Sequence, residues 1–527
     1  MPLTVFALCP TVEEGFPKEG CFNMKPWILG GVSAAALITI PCAGWSLTAQ
    51  EAWQSWQDAA QSYGQELTND GEAMMDGKLT VRGVAMSTDM EGTRLDMRVE
   101  ELVFAEQGDG SVMITMSETI PVTASGVDPD SGEELDVSLM IEQSGLAMTA
   151  SDADGGTDFA YDAPSLMMKI ADMKIDDEAF PMVLEVALTD TSGTYSVGSG
   201  AGTPVESAFE AAGVDLKMDV ADPEGTGKMV FTANMEGLTT SSLAQGFNDL
   251  DPEDMARMLN QGFAVEGGGK YGPVNFDMAF EEDGTSMLAT GSLTGGGVGI
   301  TMNGDGISYE IGYEGLDLKL SGSEIPMPQV TAKADVLSTS FAFPVLVSEA
   351  VSPFAFRVAI EGLQVGEEIW SMIDPAAVLP RDPASLIVDM AGTGRWMMDI
   401  FDEEAMMALD DAQAPGEVET VEVKELKLAI GGAELTGNGA FTLDNTDLQT
   451  FDGMPRPEGT ANLRLLGGNG LLDKLTQMGL VPQDQVMMVR MMSGMLAKPG
   501  SQPDELLSEI TIDANGQVLI NGAPLPF

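Results

Sequence analysis

The chain has 527 residues, with 24 Lys plus Arg against 83 Asp plus Glu, no histidine, and a formal net charge of −59 at pH 7. That charge repels phosphate backbones and anionic headgroups at long range, which excludes nucleic-acid binding; the missing histidine removes Ser-His-Asp and Cys-His catalysis, histidine metal sites and imidazole pH switches together. The three cysteines, Cys9, Cys21 and Cys42, all precede the expected mature region, so no disulfide, Cys-ligated zinc or thiol chemistry is expected, and no cofactor is implied.

From the amino terminus, Met24-Lys25 opens a unit with the apolar run Trp27–Ile40, then Pro41 and the small residues Cys42, Ala43, Gly44 and Ser46. A basic start, a short apolar run and a small-residue exit match a secretory signal peptide over 24–45, and the run is too short to span a bilayer comfortably. Residues 1–23 carry Glu13, Glu14 and Glu19, which no such signal needs, so Met24 is the expected start. Lipidation at Cys42 is disfavoured because Pro41 sits where a lipobox favours Gly, Ala or Ser. The expected address is the periplasm.

Thr48 and Glu51 form a T-x-x-E capping box, and Trp53, Trp56, Ala60 and Tyr63 recur at helical spacing, predicting an entry helix. From about residue 77 to 240 the period becomes two, as in KLTVRGVAMS and TRLDMRVEELVF, with Gly/Asp turns between the runs. This predicts antiparallel strands with one apolar face. Residues 242–262 read as a helix pair or bent helix, Asp251 to Asp254 supplying an N-cap, a proline and first-turn acids. Strands are expected again over 263–365, punctuated by GGGK, EEDGT, GGGVG and NGDG, then a helical stretch over Glu367–Met390. More strands follow over 417–466, then a helical hairpin over 470–497 and a closing β-hairpin from Glu509 to Ile520. A short phrase, apolar-x-(Gly or acid)-apolar, begins at Val81, Val99, Ile170, Met235, Tyr313, Ile360 and Val423. Its irregular spacing is no solenoid repeat, and a change of phase inside a strand predicts a bulge that curls the sheet.

The expected fold is therefore mainly β with peripheral helices: a long curved antiparallel sheet or sheets in a hairpin meander, with a helical hairpin near the carboxyl terminus. The expected organisation is an upstream extension (1–23), a signal peptide (24–45), an amino-terminal β-rich half with the entry helix (46–262), and a carboxy-terminal β-rich half (263–527).

Few residues invite a chemical role. The turns at Asp128/Asp130 and Asp152/Asp154 fail the spacing of calcium loops and read as hairpin turns. Gly295, Gly296, Gly297 and Gly299 lack the helix and Lys or Thr/Ser of a phosphate cradle. The acidic surface reads as solubilising, with weak divalent-cation binding as the sharper alternative. A carboxylate pair for glycoside hydrolysis is one further reading. The 37 methionines are the most unusual apolar feature, because Met fills irregular gaps and also lines adaptable apolar surfaces. Met487, Met488, Met491, Met492 and Met495 form the candidate apolar-contact surface.

Two segments, LTAQEAWQSWQDAAQSYGQ (47–65) and the region from GLLDKLTQMGLVPQDQ at 470 through DANGQVLINGAPL ending at 525, resemble the domain-of-unknown-function 2125 family of exported alphaproteobacterial proteins. That resemblance implies an envelope address and a β-rich body and carries over no site residues. A looser similarity, at the level of fold, is to AsmA-like envelope proteins whose short antiparallel strands build a hydrophobic groove. The resulting expectation is a non-enzymatic envelope protein that binds a lipid or other apolar partner in a β-groove. The alternatives are a scaffolding protein that uses strand edges and a paired-carboxylate hydrolase.

Overall fold

A computed structural model describes residues 47–525 except 63–64, 91–92, 128–131, 154–155, 199–203, 224, 247–253, 408 and 410–413. The expected signal segment, residues 1–23, the three cysteines, Tyr63, Asp128, Asp130, Asp154 and Asp251 lie outside the described residues. Strands take most of the described residues and helices few, so the mainly-β class holds.

In chain order the amino-terminal elements are α1 (Ala49–Ser62), β1 (Glu66–Thr68), β2 (Gly71–Met75), β3 (Lys78–Met90), β4 (Thr93–Glu106), β5 (Val112–Met116), β6 (Thr119–Val127), β7 (Glu134–Ser144), β8 (Ala147–Ala153) and β9 (Gly156–Ile175). Then come β10 (Glu178–Ala179), β11 (Met182–Gly198), β12 (Val205–Ala221), β13 (Lys228–Gln245), α2 (Met255–Asn260), β14 (Ala264–Tyr271), β15 (Val274–Glu282), β16 (Thr285–Leu293), β17 (Gly295–Asn303) and β18 (Gly306–Gly322). The rest are β19 (Val330–Phe343), β20 (Ser352–Val365), α3 (Glu367–Ile373), β21 (Ala384–Trp396), α4 (Glu403–Met407), β22 (Gly416–Ile430), β23 (Ala433–Asp444), β24 (Arg456–Leu466), α5 (Gly468–Gln477), α6 (Gln483–Leu496), β25 (Lys498–Pro499), β26 (Glu505–Ile512), β27 (Val518–Ile520) and β28 (Ala523–Pro524).

All these strands belong to one antiparallel sheet, and the ladder runs on across residue 262, because β13 pairs with both β14 and β15. Local chemistry sets the hairpins. Asp76-Gly77, Asp176-Asp177, Asp283-Gly284, Gly431-Gly432 and Asn521-Gly522 each place two successive residues at positive φ. That is the two-residue turn whose twist matches the flanking strands, and Asp, Asn and Gly tolerate it best.

A seam crosses the sheet. Five long strands each pair, on one side, with two short strands laid end to end. β3 pairs with β2 and then β1, β4 with β5 and β6, β9 with β8 and β7, β13 with β15 and β14, and β18 with β17 and β16. The partner exchanges in β3, β4, β13 and β18 fall on the recurring phrases at Val81, Val99, Met235 and Tyr313. The phrases at Ile170, Ile360 and Val423 fall on register shifts. Gly83, Asp190, Gly237, Gly315 and Gly362 take φ between 46° and 68° along this line.

The phrase has a simple geometric meaning. Two residues intervene at the break instead of one, so the apolar residues on either side stay on the same face. Val81 and Val84 are both buried, as are Val99 and Leu102. The sheet bends at the seam without exchanging its faces.

Two helical expectations are corrected. Residues 242–245 continue strand β13, and the helix described beyond residue 253 is the short α2, whose N-cap is Asp254; its carboxylate accepts from Arg257 N–H. The stretch expected as helix over 367–390 is helical only in α3; from Ala384 it is strand β21. Alternating apolar residues there (Leu386, Val388, Met390) lie opposite Ile360, Val358 and Phe356, so pairing overrode the helical reading. The glycine runs expected as punctuation are strand interior, Gly268 of β14 facing Gly299 of β17, whereas Asp283-Gly284 and Asn303–Gly306 are true turns.

The capping box forms as expected. Glu51 accepts from the Thr48 N–H at 2.9 Å, and Thr48 Oγ1 accepts from the Glu51 N–H at 3.2 Å. Helix α1 then lays Trp53 and Trp56 against Phe104 over the main buried cluster, which includes Leu79, Val81, Leu102, Val112, Ile114, Met148 and Ala150. The indole Nε1–H of Trp53 donates to Glu72 at 2.8 Å. A smaller cluster joins α2 (Met258, Leu259) to Phe263 and Val345.

Candidate functional site

Cross-strand register assigns the two faces. In one direction from the seam the directly paired row Val186, Leu216, Ala233, Phe276, Gly291, Leu318, Ala332 and Val365 crosses eight strands. In the other direction runs the row Ser207, Ser242, Gly267, Ile300, Tyr309, Phe341, Phe356 and Met390. Both rows lie on the face that α1 covers at its amino-terminal end, because Tyr161 and Tyr195 join that face to the buried cluster. The result is one mainly apolar face, closed by α1 at one end, crossed by the seam and interrupted by the hydrogen-bonded Ser207 and Ser242.

Beyond α1 this face is half-buried by its own neighbours and partly open: Val298 is 45% exposed and Phe356 44%. Several rings reach across to glycines of the adjacent strand, Tyr161 to Gly193, Phe276 to Gly291, Tyr271 to Gly296 and Phe354 to Gly392, where a Cβ would collide with the ring. Glycine makes room for the ring, and the ring shields the exposed glycine backbone. Next to α2 the face is covered by Met255, Met258 and Leu259 packing near Val265, Met302 and Ile307.

The opposite face is polar. Lys217 pairs with Glu185, Lys333 with Asp317, and Asn234 donates to Asp215, all across neighbouring strands. Over β11 to β20 this face carries a trough of about 1260 Å3. Its floor is the row Ala208, Ser241, Gly268, Gly299, Glu310, Ser340 and Arg357, small at its centre, which is why space opens there. That trough is thus hydroxyl-, glycine- and carboxylate-lined, and the apolar face is a broad open surface.

The methionine surface predicted from sequence is placed on the solvent side of α6. Met487, Met488, Met491, Met492 and Met495 are between 48% and 70% exposed, and only Val486 of this helix is buried. The helix is tied to α5 by polar bonds, Arg490 reaching Asp473 at 2.6 Å and Asn469 at 3.1 Å. The five methionines therefore fill no core.

The carboxylates with displaced acidity hold loops together. Burial is the largest influence on Asp374 and pushes its carboxyl up. Hydrogen bonds from Val378 N–H, Arg381 and Leu379 N–H together outweigh it and hold the group below the ordinary range. Glu505 is held down by Gln502 N–H and Arg464, and Asp444 by Thr446 and Arg456. Among the described residues no group of three or more Cys, Asp or Glu is placed to hold a metal ion. No helix there is long and apolar enough to cross a membrane.

Sequence reasoning named the α6 methionines and did not name Val298, Ile300, Phe341 or Phe356. The signal for those was the period-two alternation together with the recurring phrase, which states where the phase resets.

Fold and faces define an antiparallel β protein built on one sheet with a polar and an apolar face. Its carboxy-terminal part, residues 297–526, matches the family described as an uncharacterized protein conserved in bacteria (DUF2125), so the resemblance to that family stands on β17 through β28, and segment 47–65 lies outside the match. No curated protein and no solved structure matches the chain.

Proposed function

We propose that this chain is a non-enzymatic protein of the cell envelope, delivered by its amino-terminal signal, that holds a lipid or other apolar partner on the apolar face of its sheet. The observation that carries the reading is the continuity of that face. The seven phrases place apolar residues on the same side of the breaks they fall on, and α1 and α2 cover parts of that face. Exposed apolar surface of such extent needs a partner, because soluble proteins rarely leave large contiguous apolar patches open. Strand-edge scaffolding has less to work with: the outermost strands, β1 and β2 at one end and β25 and β28 at the other, are two to five residues long, and Pro499 and Pro524 remove donors.

The test is extraction of protein purified from its native compartment, followed by mass spectrometry of the organic phase. Acyl-chain species are expected with the native chain. A Val298→Glu, Phe356→Glu double variant is expected to lose at least about 80% of them while its far-ultraviolet circular dichroism is unchanged, since both side chains are already half-exposed. Native protein that yields no apolar molecule would sink the reading.

A further inference from the structure

We infer that α6 carries a binding site for a soft monovalent metal ion of the Cu(I) class, held by a trio of methionine sulfurs that always includes Met491 and Met492. At about 100° per residue, Met487, Met491, Met495, Met488 and Met492 share an arc of about 140°. Residues three and four apart on a helix are neighbours, with Cβ atoms about 5–6 Å apart. Three rotatable bonds then let each methionine swing its sulfur toward a shared point. Met488, Met491 and Met492 form one such trio, and Met491, Met492 and Met495 the next. The two overlap, so they hold one ion at a time. All five side chains are between 48% and 70% exposed, which leaves their sulfurs accessible to an ion from solution.

The residue types select the ion. Thioether sulfur is a soft, uncharged ligand that suits Cu(I), whereas Ca2+, Mg2+ and Mn2+ take oxygen ligands. From Met487 to Met495 every residue that falls on the arc is methionine, and the aliphatic Val489 and Leu496 of the same helix lie off it. An arc needed for apolarity alone would accept any aliphatic side chain; sulfur is what these five share. Charge on the helix agrees. Asp484 lies on the same arc, one turn before Met488. Arg490, the one basic residue of the helix, is turned to the other side and tied to Asp473 at 2.6 Å. A cation at the trio therefore meets a carboxylate on its own side, with the guanidinium neutralised on the far side. With histidine absent from the chain and all three cysteines ahead of residue 47, methionine is the soft ligand that the folded body offers. The site requires no lipid on the sheet and so stands apart from the sheet-face reading.

The experiment titrates the full chain with Cu(I), kept reduced by ascorbate, in competition with the chromogenic chelator bicinchoninate. Cys9→Ser, Cys21→Ser and Cys42→Ser are made first in every sample, because thiols also take Cu(I). This parent chain is expected to withdraw a single equivalent from the chelator and to keep it in excess Ca2+. X-ray absorption at the copper edge is expected to show a shell of sulfur. Adding Met491→Leu and Met492→Leu keeps the size and apolarity of the arc and removes both trios. Losing a mere supporting neighbour of a ligand costs about 10–100-fold in metal affinity, so this variant is expected to bind at least about 100-fold more weakly. Its melting midpoint without metal is expected to be unchanged, since both positions are exposed. Adding Met74→Leu and Met75→Leu instead, on exposed positions of β2, is expected to leave binding intact. A parent chain that takes no Cu(I), a copper shell of oxygen or nitrogen, or equal binding by the Met491→Leu, Met492→Leu variant overturns the inference. Equal loss in the Met74→Leu, Met75→Leu variant does so too. Lipid extraction from the sheet-face variant reads the other proposal separately, because that variant keeps α6.

Discussion

Asp374 shows how single residues work in this chain. Its side chain is 1% exposed and its carboxylate takes bonds from Val378 N–H at 3.0 Å, Leu379 N–H at 2.7 Å and Arg381 at 2.8 Å. Arg381 in turn stacks over Trp370, 4.3 Å from the ring centroid, and reaches Glu367. The loop between α3 and β21 is thereby closed on a fixed charge pair. An Asp374→Asn variant keeps the shape but leaves Arg381 without its buried counter-charge, which is costly. Its thermal midpoint is expected to fall clearly more than that of Asp484→Asn on the exposed surface of α6, as differential scanning calorimetry would record. The same carboxylates set the pH response. Asp374, Asp444, Asp447, Asp504 and Glu505 are all held below their ordinary values. Their contribution is complete above the unfolded carboxylate values, about 4, and is lost as pH falls through the lower folded values. With no histidine to titrate in between, the midpoint is expected to stay level from pH 8 to 5 and to drop steeply below about 4. A step between pH 6 and 7 would contradict this.

At the scale of elements the seam decides the architecture. Each break costs ladder hydrogen bonds, and side bonds replace some of them. Ser117 Oγ accepts from Glu101 N–H at 2.8 Å, and the Gln143 amide donates to the carbonyls of Met116 and Ser117. Gly272 N–H donates to Glu236 and Glu236 N–H to Pro273 where β14 meets β15. Gly237 sits at φ 65° with no atom within 4 Å of where a Cβ would lie. A substitution there therefore tests backbone conformation alone. Gly237→Asn is expected to be tolerated, because Asn accepts the left-handed region. Gly237→Val should cost about 1–2 kcal/mol, measured by chemical denaturation. Equal stability of the two variants would mean that the positive φ is not required at this break.

Across the whole molecule the sheet behaves as a nearly one-dimensional stack, since each strand touches little beyond its sequence or ladder neighbours. The buried clusters beneath α1 and beside α2 are the exceptions, the larger, beneath α1, with Trp53, Phe104, Leu79 and Leu102 fully buried. Unfolding is therefore expected to proceed in stages, the α1 end last. Phe104→Ala should remove about 3–5 kcal/mol from the transition followed by tryptophan fluorescence at Trp53 and Trp56. Amide exchange in β21 to β24 should be unchanged. A single shared transition for both regions would show that the sheet transmits stability along its full length.

The sequence alone determined the class of fold, the capping box of α1, a few hairpin turns and the places where strands change phase. All of these depend on residues close together in the chain: alternation, Asp-Gly pairs, a Thr three residues before a Glu. Contacts distant in sequence decided the rest. Residues 384–390 became strand because β20 and β22 offered ladder partners on both sides, and the glycine runs became strand interior because each faced the other across β14 and β17. The α6 methionines were legible as an apolar stripe, but periodicity records only that a helix has two faces; which one turns toward the body depends on what the body presents, here Asp473 and Asn469 drawing Arg490 inward.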